Sequence, residues 1–252
     1  MLTPERHRAI LRILAEDGKV TITDLVERLD ISPATARRDA SALAASGKAL
    51  RSHGGLLPAR YLRQEPHYRA KAQRWADQKE RLAQKAAAII PHEGNIFVDG
   101  GTTCLEVGKL LLDRTDLRIF TNSIPLLSLA DESRAALTAI GGEVRRVSMA
   151  MTGALAQAWL SHLRFDFVVV GASGFSADHG AYTTEIHEAA VKSEVLRRAT
   201  GRMLVAEAEK LNQPTAVHFA PWCSFSHFIS GKAVPPEVRR SIASEGVRIH
   251  LV

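Results

Sequence analysis

Two groups of residues in this 252-residue chain have the types and spacing to do chemistry. The first is Ser32-Pro33-Ala34-Thr35-Ala36-Arg37-Arg38-Asp39, followed at a short distance by Lys48, Arg51 and His53. Hydroxyls and guanidinium groups in this order suit phosphate oxygens and base edges, and an arginine fork matches the acceptor pair of guanine. Arg37 and Arg38 are adjacent, so on a helix they point about 100° apart and do not read the same base. Asp39 turns back to orient an arginine or to meet the module's own core. The second group is a series of glycine- and hydroxyl-rich loops: Asp99-Gly100-Gly101-Thr102-Thr103, Thr121-Asn122-Ser123, Gly141-Gly142, Gly171-Ala172-Ser173-Gly174 and Ala206-Glu207-Ala208-Glu209-Lys210. Glycines let backbone amides approach an anion, and a helix N-terminus adds partial positive charge. Lys210, or Lys192 on the preceding helix, supplies a full positive charge, and Glu188 stands one turn before Lys192. One such loop is often no more than a helix cap; several on one edge describe a phosphate pocket with polar groups left over for hydroxyls.

Other chemistries fit less well. Glu185, Glu188 and Asp99 with Lys192 could in principle serve as the base and electrophile of an isomerase, but fusion to a DNA-reading module favours sensing over turnover, so no catalytic residue is expected. Neither G-x-x-x-x-G-K-[ST] nor a G-x-G-x-x-G after a strand occurs, so no nucleotide cofactor is favoured. The two cysteines, Cys104 and Cys223, and the ten histidines lack tight metal spacing, and His187-Glu188 has no second histidine where a zincin needs one. No metal or other cofactor is expected.

These groups need elements to hold them. Thr3-Pro4 starts a helix, Thr23 caps a second, and Ser32-Pro33 starts a third that runs to Ala45; Ala49–Leu57 folds as two short strands about Gly54-Gly55. A helix, a tight turn, a second helix and a basic hairpin form the frame that carries Ser32 to Arg38 into a major groove. Residues 58–75, broken by Pro58 and Pro66, read as a linker. Beyond them strands at Ile96–Asp99, Leu117–Thr121, Leu137–Ile140, Phe167–Val170, Met203–Ala206, Val217–Phe219, Phe228–Ser230 and Arg248–Leu251 alternate with helices near 77–90, 103–113, 124–132, 184–199 and 235–245, which predicts an open, mostly parallel α/β sheet. The domains are therefore 1–57, a winged helix-turn-helix, and 76–252, an α/β ligand-binding domain. Charge divides in the same place. Residues 1–75 hold 14 Lys/Arg against 8 Asp/Glu, whereas the rest hold 19 of each. A basic excess confined to one module is the footprint of a polyanion binder. No apolar run approaches a bilayer span, no secretory leader is evident, and the cysteine usage suits a reducing cytoplasm.

The first group resembles the N-terminal domain of the DeoR family, whose members carry a run like V-S-x-x-T-I-R-R-D-L … L-x-x-x-G-x-x-x-R-x-H-G-G. Here it is met by Ile31-Ser32, Thr35-Ala36-Arg37-Arg38-Asp39-Ala40, Leu43, Gly47, Arg51 and His53-Gly54-Gly55, with alanines at 36 and 40 where the family has larger apolar residues. The second group is similar to the same family's sensor domain, with its D-x-G-T-T, T-N-S, G-G and G…E-x-x-x-K marks; the later A-D-x-S-K and T-D marks are altered to Ala206–Lys210 and Ser230-Gly231. The resemblance implies a fold like that of ribose-5-phosphate isomerase. It also implies a homodimeric or tetrameric repressor of a carbohydrate or polyol operon, bound to double-stranded operator DNA and relieved by a phosphorylated sugar or polyol, with no membrane partner. A sugar-phosphate isomerase fused to a DNA-binding module is the alternative, and a constitutive binder with a degenerate sensor a third.

Overall fold

The computed structural model describes residues 3–17, 20–46, 48–52, 54–58, 65–213 and 215–252. The chain forms two compact units, Met1–Gln64 and Glu65–Val252.

The N-terminal unit holds α1 (Thr3–Asp17), β1 (Val20–Thr21), α2 (Ile22–Leu29), α3 (Pro33–Ala45), β2 (Ala49–Ser52) and β3 (Gly55–Pro58). The start of α2 differs from the sequence expectation. Thr21, not Thr23, is the N-cap, because Asp24 stands three residues on and completes a capping box: Asp24 N–H donates to Thr21 Oγ1 at 3.0 Å, and Thr21 N–H to Asp24 Oδ2 at 2.8 Å. The α2–α3 turn passes through Asp30 in the left-handed region, φ 49°. Ser32 then caps α3 by accepting from Thr35 N–H at 3.2 Å, with Pro33 at the first helical position. Ile10, Leu14, Leu25, Ala36, Ala40, Leu43 and Leu56 close the core. Ala36 and Ala40 are fully buried, so the family's larger residues are replaced by small ones on the packed side of α3, not on its outer side. Strands β2 and β3 form the antiparallel wing, with β1 added to the edge of β3.

The C-terminal unit begins with α4 (Tyr68–Gln73) and α5 (Ala76–Ala87) and continues through β4 (Gly94–Val98), α6 (Thr102–Leu111), β5 (Leu117–Thr121), α7 (Ile124–Leu127), β6 (Ala136–Ala139), β7 (Glu143–Arg145), β8 (Ala150–Thr152), α8 (Gly153–Leu160), β9 (Phe165–Gly171), β10 (Gly174–Ser176), β11 (Gly180–Thr183), α9 (Ile186–Arg197), β12 (Ala199–Val205), β13 (Val217–Ala220), β14 (His227–Ser230), α10 (Pro236–Ser244) and β15 (Arg248–Leu251). Among the described residues seven strands make one parallel sheet in the order β15-β14-β12-β9-β4-β5-β6. Alternate residues of its central strands face opposite ways. Phe97, Val168 and Leu204 pack with Val191 and Val195 of α9 and Leu160 of α8, while Ile96, Val98, Val169 and Met203 pack with Leu82 of α5 and Val107 and Leu111 of α6. Burial on both faces is what continuous apolar strands of a parallel sheet require.

Two corrections concern this unit. Val217–Phe219 is a strand, but β13 pairs antiparallel with β11 in a separate three-stranded sheet with β10. Residues 65–75, read as linker, belong to the C-terminal unit, where Lys79, 3% exposed, donates to the carbonyls of Lys71 and of Arg74 (2.6 Å) and so fastens the end of α4 to α5.

The strand order fixes where a ligand can enter. From β4 the chain proceeds outward through β5 and β6 on one side, then returns to lay β9, β12, β14 and β15 on the other. The order therefore reverses between β4 and β9, and the crevice at the carboxyl ends of those strands is the natural binding position in an open α/β sheet.

Candidate nucleic-acid interface and ligand pocket

On α3 the Arg37-Arg38-Asp39 triplet is divided between two faces. Asp39 is buried and accepts from Arg6 Nε at 2.5 Å and Arg6 Nη2 at 3.0 Å, with His7 Nε2 at 3.1 Å, all from α1. The hydrogen bond from Arg6 draws its carboxyl below the ordinary value, with His7 acting in the same sense. This anchor sets the rotation of α3, and Arg37 and Arg38 are exposed on its outer side. Ser32, Pro33 and Ala34 are exposed at its leading end, and Thr35 is half-buried. Ser32 Oγ and Thr35 Oγ1 lie 2.9 Å apart, so these hydroxyls form a local cap. Lys48 is exposed just before the wing and Arg51 lies within β2. His53 lies outside the described residues, as does Gly47.

The loops predicted from sequence do converge at the carboxyl ends of β4, β5, β9 and β12, and most of their polar groups are engaged with one another. Asp99 closes the switch point: its N–H donates to Val169 O at 3.0 Å, and its Oδ2 accepts from Gly171 N–H at 3.1 Å and from the Lys192 ammonium. Lys192 also donates to Gly171 O at 3.1 Å. Burial opposes its charge, but Asp99 and Glu188 outweigh that and hold the ammonium above its usual range. Thr121 donates to Val98 O (2.6 Å), Asn122 accepts from Gly100 N–H (2.7 Å), and Ser123 caps α7. Thr103 Oγ1 donates to Glu207 Oε1 at 2.8 Å, and Lys210 pairs with Glu207 at 2.6 Å. Burial alone would raise the Glu207 carboxyl, but Lys210 brings it below its ordinary value.

Both lysines that the sequence offered as anion ligands are thus ion-paired within the protein. Gly101 and Thr102 open α6 with no side-chain cap, Gly101 at φ 121° and with open space where a Cβ would lie. This leaves backbone facing the crevice.

Gly141 and Gly142 both have positive φ, but they differ in surroundings. A Cβ on Gly141 meets nothing within 4 Å, whereas one on Gly142 would stand 2.4 Å from Thr152 O. Gly142→Ala is expected to destabilise the C-terminal unit by about 2–3 kcal/mol, and Gly141→Ala by about 1 kcal/mol, the backbone cost alone. Urea unfolding of both variants measures the difference, and equal losses would show that contact with Thr152 is not what requires the second glycine.

Sequence reasoning missed a further cluster beside this crevice. Arg145, at the end of β7, donates through Nη1 to Glu188 Oε1 at 3.1 Å and through Nη2 to Glu65 Oε2 at 2.7 Å. Glu188 also accepts from Thr183 Oγ1 at 2.9 Å, and Glu65 from Thr184 Oγ1 at 2.6 Å and Lys71 Nζ at 2.6 Å. Arg145 carried a faint signal, three residues after Gly141-Gly142; Glu65 carried none. At the opposite ends of the strands a 510 Å³ cavity is lined by Arg164, Asp166, Arg197 and Arg198 among others. Arg197 and Arg198 pair with Glu194, Asp166 accepts from Asn95 N–H, and the cavity is remote from the switch point.

A helix-turn-helix with outward arginines, and a separate parallel α/β unit with a polar crevice at its switch point, define a DNA-binding regulator with its own sensor. Residues 6–59 match the DeoR-like helix-turn-helix domain and residues 74–232 the DeoR C terminal sensor domain, and the chain belongs to the DeoR family of transcriptional regulators. It is 29% identical to the glycerol-3-phosphate regulon repressor of Escherichia coli, covering all of both chains. It is 30% identical to the HTH-type transcriptional regulator GlpR of Haloferax volcanii, covering 99% and 98% of the two. With the lactose phosphotransferase system repressor of Lactococcus lactis it shares 32% identity over 82% and 83%. Among solved structures, a D-ribose-5-phosphate isomerase in complex with phospho-erythronic acid superposes with a TM-score of 0.41 at 16% identity, over 55% of each chain. No helix among the described residues is long and apolar enough to cross a membrane.

Proposed function

We propose that this protein represses a carbohydrate or polyol catabolic operon in the cytoplasm, holding double-stranded operator DNA through α3 and the wing and releasing it when a phosphorylated sugar or polyol occupies the crevice at the β4–β9 switch point. The observation that carries this reading is the convergence of the Asp99–Thr103 loop, Gly141-Gly142, Lys192 and Arg145 on one crevice in a chain that also presents Arg37 and Arg38. The names of the relatives support it, since one represses a glycerol-3-phosphate regulon and another a lactose phosphotransferase system. Self-association as a dimer or tetramer is supported by an apolar patch: Leu155 and Trp159, one turn apart on α8, are 66% and 61% exposed, and Val144 on the neighbouring β7 is exposed too. Of the carboxylates an isomerase could use as bases, Asp99 and Glu188 are occupied by Lys192, Arg145 and Thr183, and Glu185 caps α9 by accepting from His187 and Glu188 N–H, which favours sensing over catalysis.

An effector shifts the DNA-binding equilibrium only by its differential affinity for the free and bound states. The test is anisotropy titration of promoter duplexes from the genes flanking this one, with a panel of three- to six-carbon sugar and polyol phosphates and their unphosphorylated forms. One phosphorylated compound is expected to raise the Kd for DNA by about tenfold, a coupling of about 1.4 kcal/mol, while its unphosphorylated form has no effect. A phosphorylated compound that stabilises the protein to heat yet leaves DNA affinity unchanged would sink the gating mechanism.

A further inference from the structure

Glu65 is the first residue of the C-terminal unit, so the chain from the N-terminal unit enters through it. It lies in chain without regular secondary structure before α4, yet its side chain is 8% exposed. Its carboxylate accepts from Lys71 Nζ at 2.6 Å, Arg145 Nη2 at 2.7 Å and Thr184 Oγ1 at 2.6 Å. Burial would raise this carboxyl, but Lys71, with Thr184 and Arg145, carries it down to about 2. Two cations and a hydroxyl converging on one acceptor group form the donor set of an anion site, and the present occupant is a side chain of the protein itself. The site adjoins the switch point. Arg145 spans Glu65 and Glu188, and Glu188 sits one helical turn before Lys192, the partner of Asp99.

We infer that Glu65 is an internal anion occupying the seat of the effector's phosphoryl group, and that effector and Glu65 compete for Arg145, Lys71 and Thr184. The inference rests on the proposed reading of the C-terminal unit as a sensor of phosphorylated ligands and adds where the phosphate goes. Lys192 and Lys210 are tied to carboxylates at the ends of the sheet strands, whereas Glu65, though its side chain is buried too, is carried by chain without regular structure ahead of α4 and can be exchanged. A phosphoryl group brings nearly twice the charge and three acceptor oxygens, so it displaces a carboxylate from such a seat. Displacement loosens the chain ahead of α4, while Lys79 keeps the end of α4 fastened to α5. The tie that is lost lies at the junction with the DNA-binding unit, which gives ligand binding a route to DNA affinity without any rearrangement of the sheet.

The experiment measures calorimetric binding of glycerol 3-phosphate, ribose 5-phosphate, the wider phosphate panel and inorganic phosphate to the full-length wild type, E65A, E65Q, R145Q and R145K. Removing the competitor is expected to tighten the phosphorylated ligand about tenfold in E65A and E65Q, with no effect on unphosphorylated forms. R145Q is expected to weaken it by about 10- to 100-fold, the range for loss of a charge-assisted bond, and R145K to fall between, since it keeps the charge and loses the fork. E65Q is nearly isosteric, so a folding defect confined to E65A does not obscure the result. If the wild type binds a phosphorylated compound and both Glu65 variants bind it equally or less tightly, the competition is wrong and the sensor reading survives. If neither the wild type nor the Glu65 variants bind any phosphorylated compound, both fall.

Discussion

Replacing Arg37 and Arg38 together by alanine is expected to lower operator affinity about thirtyfold or more while leaving the melting temperature of the protein unchanged. Each arginine at a DNA surface is worth about 1–3 kcal/mol, whether it holds a phosphate or forks onto guanine, so the pair loses about 2–6 kcal/mol. Stability is spared because both side chains are exposed, whereas the residue that positions the helix is their neighbour Asp39, held between Arg6 and His7 of α1. The single variants separate the two roles, since adjacent residues face about 100° apart. The arginine on a phosphate, once removed, weakens all sequences alike and lowers the slope of log K against log salt by about 0.9. The arginine on a base relaxes preference at one position. Wild-type affinity in the double variant, measured by anisotropy at two salt concentrations, would remove α3 from the groove.

The parts of this molecule legible in sequence are those set by local chemistry. Ser32-Pro33 announced the start of α3 because a hydroxyl cap and a proline at the first position satisfy the same free amides. The central strands were legible because burial on both faces writes an uninterrupted apolar run, as in Phe167–Val170 and Met203–Ala206. The switch-point loops were legible as glycine and hydroxyl clusters after those runs. Helix α8, GALAQAWL, was not, because it is apolar on all sides and has no helical period to detect. At α2 two threonines compete for the cap, and the signal that favours Thr21 over Thr23 is Asp24, three residues after Thr21. The partners of charged groups were the least legible. Lys192 and Asp99 are 93 residues apart, Arg145 and Glu65 80, and Thr103 and Glu207 104. Nothing in the period or composition of a segment specifies which distant carboxylate will neutralise its lysine. The loops marked the crevice at the switch point, but not that the protein fills much of it with its own carboxylates.

The Asp99–Lys192 pair offers the sharpest test of that distinction. Both residues are buried, and Asp99 Oδ2 takes the Lys192 ammonium and Gly171 N–H together. Lys192→Met keeps the length of the side chain and removes its charge. Asp99 is then left in the sheet's switch point with a backbone amide as its partner, and loss of one member of a buried pair costs about 3–5 kcal/mol, a large part of a domain's whole margin. The loss depends on pH. Burial already pushes the Asp99 carboxyl up and Lys192 is the main opposing influence, so without the lysine its folded-state pKa rises well above the unfolded value. A group raised in this way stabilises fully below its unfolded pKa and loses that contribution as pH rises through the folded value. K192M is therefore expected to lie closer to wild type at pH 4–5 than at pH 7. The double variant D99N/K192M, which removes both charges and keeps an acceptor for Gly171 N–H, is expected to recover most of the loss at pH 7, with a coupling above about 2 kcal/mol in the double-mutant cycle. Urea unfolding at the two pH values reads all three proteins. If Lys192 instead met the effector's phosphate directly, with Asp99 satisfied elsewhere, K192M would abolish ligand binding at little cost in stability, and D99N would not rescue it.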